Sequence, residues 1–171
     1  AVGYTKAKKR RQIMIATSSV GPGATNMVTA AAVAHANRLP LLLLSGDTFT
    51  NRLPDPVLQQ VEHFGTPSTT VNDSFRAVSR FWDRITHPAQ IISSLPQALA
   101  TMLDPADCGP AFIGLPQDIQ EIAYDYPVEF FEEKTWEIAR PRASVNQIKA
   151  AVSLLKKAKK PLILAGGGVR Y

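Results

Sequence analysis

The chain has 171 residues, 45% of them hydrophobic and 19% charged, with a formal net charge of +5. That is enough for one packed domain and part of another, and it excludes a disordered chain. A single cysteine, Cys108, excludes an internal disulfide, and no apolar run approaches membrane-spanning length.

Residues 1–9 read as the tail of a helix. Residues 12–17 open apolar and β-leaning, which predicts a buried strand. The chain then turns through Ser18 and Ser19 to Gly21-Pro22-Gly23, and residues 24–37 predict a helix of small residues. Small side chains allow close approach, so this helix is expected to be buried, with a subunit contact as one use. Residues 41–45 form a continuous apolar run, which favours a strand in a parallel sheet covered on both faces. Gly46-Asp47-Thr48 leaves its carboxyl end, the edge at which open α/β sheets hold ligands.

Pro54 starts a short helix expected to run to about residue 64. Residues 75–80 fit either a strand or a turn of helix. Pro88 suits the first position of a helix running to residue 102, with Pro96 expected to kink or split it. Residues 111–115 predict another buried strand. Residues 121–142 lose periodicity, are acidic and aromatic, and read as an ordered linker. Residues 145–157 predict an amphipathic helix capped by Ser144 or Asn146, and residues 161–165 a strand entering Gly166-Gly167-Gly168. Strands alternating with helices predict an α/β fold with a doubly wound, mostly parallel sheet. The expected division is one domain over 1–127, a linker over 128–143, and the start of a second α/β domain over 144–171.

Two basic runs carry much of the charge: Lys6, Lys8, Lys9, Arg10 and Arg11, and Lys156, Lys157, Lys159 and Lys160. Each ends a helical segment, where cations complement the helix dipole, and neither has interleaved aromatics to stack bases. No nucleic-acid partner and no membrane partner are expected. No apolar segment follows the first basic run, so no signal peptide is read there, and the lone thiol fits a reducing cytoplasm. His35, His63 and His87 lack metal-ligand spacing. Ser18, Ser19 and Ser45 lack the context of a nucleophile elbow, and Cys108 has no expected base beside it.

The turn at Gly21-Pro22-Gly23 is the candidate site. A strand, a tight loop and a helix start present unpaired backbone N–H groups to a ligand. Asn26 stands where a dinucleotide fingerprint needs its third glycine, and no lysine follows as a phosphate loop requires. Taken alone, the loop is an ordinary strand-to-helix turn.

The longer stretch SSVGPGATNMVTAAAVAHANRLPLLLLSGD resembles the second half of the pyrimidine-binding domain of thiamine diphosphate-dependent enzymes of the acetolactate synthase type. CGPAFIGLPQDIQ resembles a later strand and turn of that domain, and KKAKKPLILAGGGVRY the opening of the family's central domain. The resemblance covers essentially the whole chain. It implies that Gly21, Pro22, Gly23 and Asn26 lie beside the cofactor's aminopyrimidine and that Gln59 points toward a small-molecule substrate. It also implies thiamine diphosphate and Mg²⁺ as cofactors and a homo-oligomer with sites between subunits. The family's proton-handling glutamate lies upstream of this loop, and its metal motif is absent from the sequence. The resemblance therefore implies a fragment without catalytic residues of its own, inactive by itself. The stretches NRLPDPVLQQVEHFG and DSFRAVSRFWDRITHP resemble a branch of the family that hydrolyses C–C bonds. The alternatives are a carboligase or decarboxylase of the same family, or a non-catalytic α/β interaction module.

Overall fold

The computed structural model describes residues 1–51, 53, 61, 63 and 65–169. Its described residues form a four-stranded, all-parallel sheet in the order β1-β2-β4-β3, with β1 at Ile15–Ser18, β2 at Leu41–Asp47, β3 at Phe81–Arg84 and β4 at Pro110–Pro116, and helices that include the short α1 at Val2–Ala7 and α5 at Gln117–Gln120. The central strands β2 and β4 are the continuous apolar runs, as strands buried on both faces must be.

Side chains of the central strands alternate between two cores. Leu41, Leu43 and Phe112 face one way, onto Ala31 and Ala34 of helix α3 (Val28–Ala36) and onto Phe75. Leu42, Ala111 and Ile113 face the other way, onto Ala98 and Met102 of helix α4 (Ile91–Leu103). The direction of travel across the sheet reverses between the β1–β2 and β3–β4 connections. Crossovers of one hand must then place their helices on opposite faces, and α3 and α4 lie on opposite faces.

The structure departs from several expectations. The helix expected over 24–37 is two pieces, Pro22–Thr25 (α2) and α3, separated by a turn at Asn26 and Met27. The Thr25 hydroxyl donates to Pro22 O at 2.9 Å and competes with helix continuation. Only one face of α3 is buried; Val33 is 43% exposed. Of the two effects expected of Pro96, the split does not occur: α4 runs unbroken from Ile91 to Leu103. Residues 161–165 form no strand, and Leu162, Ile163 and Leu164 are exposed. Without a neighbouring strand to bond its backbone, an apolar segment has no ladder to join.

Of residues 75–80, Phe75–Ala77 close a 3₁₀ segment, Val71–Ala77, and the strand β3 begins only at Phe81. Helix α6 (Val145–Lys157) starts at Ser144, whose Oγ accepts from Gln147 N at 3.2 Å in a capping box. Every residue from 141 to 169 is exposed. The segment 121–131 is anchored through Tyr124 against His87, ring centroids 5.7 Å apart, and through the Tyr126 hydroxyl, which donates to Pro88 O at 3.4 Å. Among the described residues no helix is long and apolar enough to cross a membrane.

Candidate functional site

The Gly21–Asn26 turn follows β1 at the carboxyl edge of the sheet. Gly21 has φ 70° and ψ −127°, a backbone state that only glycine adopts without strain. Pro22 then sits in the first turn of α2 with its φ already set. Thr25 N donates to Gly21 O at 3.1 Å and Asn26 N to Pro22 O at 3.2 Å, which closes the turn. Gly21 and Ala24 are buried beneath it, while Pro22, Thr25 and Asn26 are exposed. Four of the expected site residues, Gly21, Pro22, Gly23 and Asn26, are thus brought together in one turn. Gln59, the expected substrate residue, lies outside the described residues, as does the helix expected from Pro54.

The turn rests on the end of β2. A Cβ added to Gly46 would meet Val20 N at 3.1 Å, so the two backbones touch there. The Ser18 and Ser45 hydroxyls lie 3.3 Å apart, and Ser45 Oγ donates to Gly46 O at 2.9 Å. Asn72 Nδ2 donates to the same carbonyl at 2.9 Å.

Beside this contact lies a charged cluster that sequence reasoning missed. Asp47, fully buried at the end of β2, accepts from Arg84 Nε at 2.7 Å. Arg84 ends β3, and its Nη2 donates to Thr70 Oγ1 at 2.7 Å and to Asp73 Oδ2 at 2.8 Å. β2 and β3 are not neighbours, so the guanidinium spans β4 between them. It crosses at Gly114, which pairs with Ser45 on one side and Arg84 on the other. A Cβ at Gly114 would come within 3.0 Å of Asp47 Oδ2 and 3.5 Å of Asn72 Nδ2. Burial pushes the Asp73 carboxyl up, but hydrogen bonds from Arg84, Thr70 N and Arg76 outweigh it and hold its pKa at about 2. Burial likewise works against the charge on Arg84, and bonds to Asp47 and Asp73 overcome it and raise its pKa. The signal in the sequence is a carboxylate just beyond an apolar run and an arginine after Phe81-Trp82-Asp83, but β3 is four residues long and too short to show a strand pattern.

On the other side of the edge, Asp118 accepts from Thr50 N at 3.0 Å and Asn51 N at 3.1 Å, which ties the chain leaving β2 to the turn after β4. Burial raises the Asp118 pKa, and these bonds with that of the Thr50 hydroxyl more than offset it, so it is lowered. His87 is a cap: its Nδ1 accepts from Ala89 N at 3.2 Å. Cys108 is buried, its Sγ donates to Met102 O at 3.1 Å, and burial pushes its pKa up, so its thiol is inert. Among the described residues no group of three or more His, Cys, Asp or Glu is placed to hold a metal ion.

The described residues thus form a parallel sheet with an open glycine–proline turn at its carboxyl edge, and the chain is similar to known proteins. Residues 1–70 match the thiamine pyrophosphate enzyme, N-terminal TPP binding domain. Over all 171 residues the chain is 52% identical to a protein of Geobacillus thermodenitrificans and 52% identical to one of Clostridium tetani, both named 3D-(3,5/4)-trihydroxycyclohexane-1,2-dione hydrolase. A Bacillus cereus protein of the same name is 48% identical over the same length. The chain spans 27% of the length of each of these relatives.

The turn suits a flat heteroaromatic ring. It offers backbone atoms, the apolar face of exposed Pro22, and the exposed carboxamide of Asn26, which can donate or accept.

Proposed function

We propose that the Gly21–Asn26 turn is one wall of the aminopyrimidine pocket of a thiamine diphosphate-dependent hydrolase, which cleaves a C–C bond of 3D-(3,5/4)-trihydroxycyclohexane-1,2-dione. What carries the reading is the exposed turn at the carboxyl edge of a parallel sheet. What supports the substrate is 52% identity over all 171 residues to proteins of that name, of which the chain spans 27%. Ring opening to 5-deoxy-glucuronate would place the activity in myo-inositol catabolism, in the cytoplasm.

Bound in such a pocket, thiamine diphosphate supplies a nucleophilic carbon that can add to a ketone. Pro22 would pack on the ring, Gly21 and Gly23 would let the backbone approach it, and Asn26 would orient it by a hydrogen bond. Gln59 would face the substrate. Mg²⁺ and the proton-handling carboxylate would come from outside these residues, in a homo-oligomer with sites between subunits, and the 171 residues alone would be inactive. Residues 144–171 would begin a second α/β domain after a linker at 128–143. The exposed stripe Val145, Ile148, Val152 and Leu155 on α6 supports this, because such a stripe calls for a packing partner.

The test is a graft: this chain replaces the matching 171 residues of the Geobacillus relative. Opening of the diketone that depends on added thiamine diphosphate is expected. Asn26→Ala in the graft should raise the half-saturating cofactor concentration by about tenfold, the value of one good hydrogen bond to a ligand. A folded graft that opens the diketone without the cofactor, or only decarboxylates 2-oxo acids, would overturn the reading.

A further inference from the structure

The Arg84 cluster is built at a cost that packing alone does not explain. Asp47 and Asn72 are fully buried, Thr70 nearly so, and Asn72 Oδ1 has no partner among the described residues. Buried ion pairs add little stability over apolar contacts of the same volume, because desolvation consumes the Coulombic gain. What such a cluster does supply is direction: a planar guanidinium fixes the positions of the groups it forks between.

The groups fixed here lead to the turn. Arg84 holds Asp47 on one arm, and Thr70 and Asp73 on the other. Thr70 Oγ1 accepts from Asn72 N at 3.2 Å, so the second arm also places Asn72, and Asn72 Nδ2 holds Gly46 O at 2.9 Å. Both arms therefore end on the Gly46–Asp47 peptide. Val20 N packs directly against Gly46, and Gly21 follows with its positive φ. Gly114 keeps the crossing over β4 open.

We propose that Arg84 is a positioning residue for the Gly21–Asn26 turn, acting through Asp47, Asn72 and Gly46. The inference rests on the assignment of that turn as the cofactor wall, but the coupling itself is measurable without any cofactor. Arg76 is the matched control. It also pairs with Asp73, at 2.8 Å, and its guanidinium lies 3.5 Å over the Trp82 ring, but it contacts neither Asp47 nor Asn72.

The experiment is amide hydrogen exchange on the full chain, read at Thr25 and Asn26, whose N–H groups close the turn. Arg84→Met should speed exchange at these two amides by about tenfold or more, with the amides of α4 changed less than about twofold. Arg84→Lys, which can reach one carboxylate but cannot fork, should fall between Met and the native residue. Arg76→Met should leave Thr25 and Asn26 within about twofold of the native rate. Should Arg84→Met fail to fold, Asp47→Asn, which keeps shape and removes the charge, should give the same local pattern. Equal acceleration at the turn and throughout α4 would reveal only lost stability and overturn the proposal. So would unchanged rates at Thr25 and Asn26. Neither result bears on whether thiamine diphosphate binds, which the graft decides separately.

Discussion

At Gly114 a hydrogen stands where any other residue would push a carbon against Asp47 Oδ2, 3.0 Å away. Gly114→Ala should therefore lower stability in urea by about 1–2 kcal/mol, the usual cost of one methyl forced into a filled site. Gly21→Ala meets strain instead of a clash, because its φ is 70°. A loss of about 1–2 kcal/mol is expected there too. Asp73 gives a pH signature. Its carboxyl is held at about 2 in the fold against an ordinary 3.8. A depressed carboxylate adds stability above its unfolded pKa and loses it as pH falls through the folded value. The loss should therefore develop between about pH 4 and 2 and, after solvent screening, amount to about 1 kcal/mol. Arg84→Met should remove most of this dependence in acid titrations followed by fluorescence. The turn residues were legible in the sequence because glycine and proline announce backbone geometry directly. The partners of Asp47, Asn72 and Arg84 were not, because Arg84 reaches Asp47 across β4 from 37 residues away and Asn72 reaches Gly46 from 26 residues away.

Helices α4 and α6 are both 13 residues long, and they persist for different reasons. α4 buries Ser94, Ala98 and Met102 against the sheet, and that burial tolerates Pro96 in its interior. Pro96→Ala should raise the thermal midpoint, since it restores a backbone donor within the helix. α6 buries nothing, so its caps carry it. An isolated helix of this length is marginal in water. Ser144→Ala should cost about 1 kcal/mol of helix stability and visibly lower helicity over 145–157 by NMR shifts, with the unfolding of the sheet unchanged. The same contrast explains which elements the sequence revealed. The runs 41–45 and 111–115 are apolar throughout, and Ser144 is a clear cap. Phe81–Arg84 is short and carries Asp83, whose carboxylate accepts from Ser94, so its pattern resembles no strand template. The segment 161–165 has strand composition, but among the described residues no strand lies beside it to pair with.

The whole molecule divides into a packed sheet and an unpacked end. Leu162 is 92% exposed and Leu164 96% exposed, next to the bare stripe of α6. Exposed apolar surface of this kind drives association. Light scattering should show self-association at micromolar concentration, and Leu162→Lys with Leu164→Lys should reduce it without moving the melting of the sheet. The other end of the problem is the outer strand. Among the described residues β3 has four rungs on β4 and no strand on its other flank, the arrangement through which mispaired strands recruit further chains into open-ended sheets. Sliding β3 by one residue would carry Arg84 about 3.3 Å along the strand and turn it to the opposite face. The guanidinium would lose Asp47 and Asp73 in one movement, and a buried carboxylate would be left bare. The arginine that braces the turn thus also works as a bolt, making a slipped ribbon costly at one outer border of the sheet.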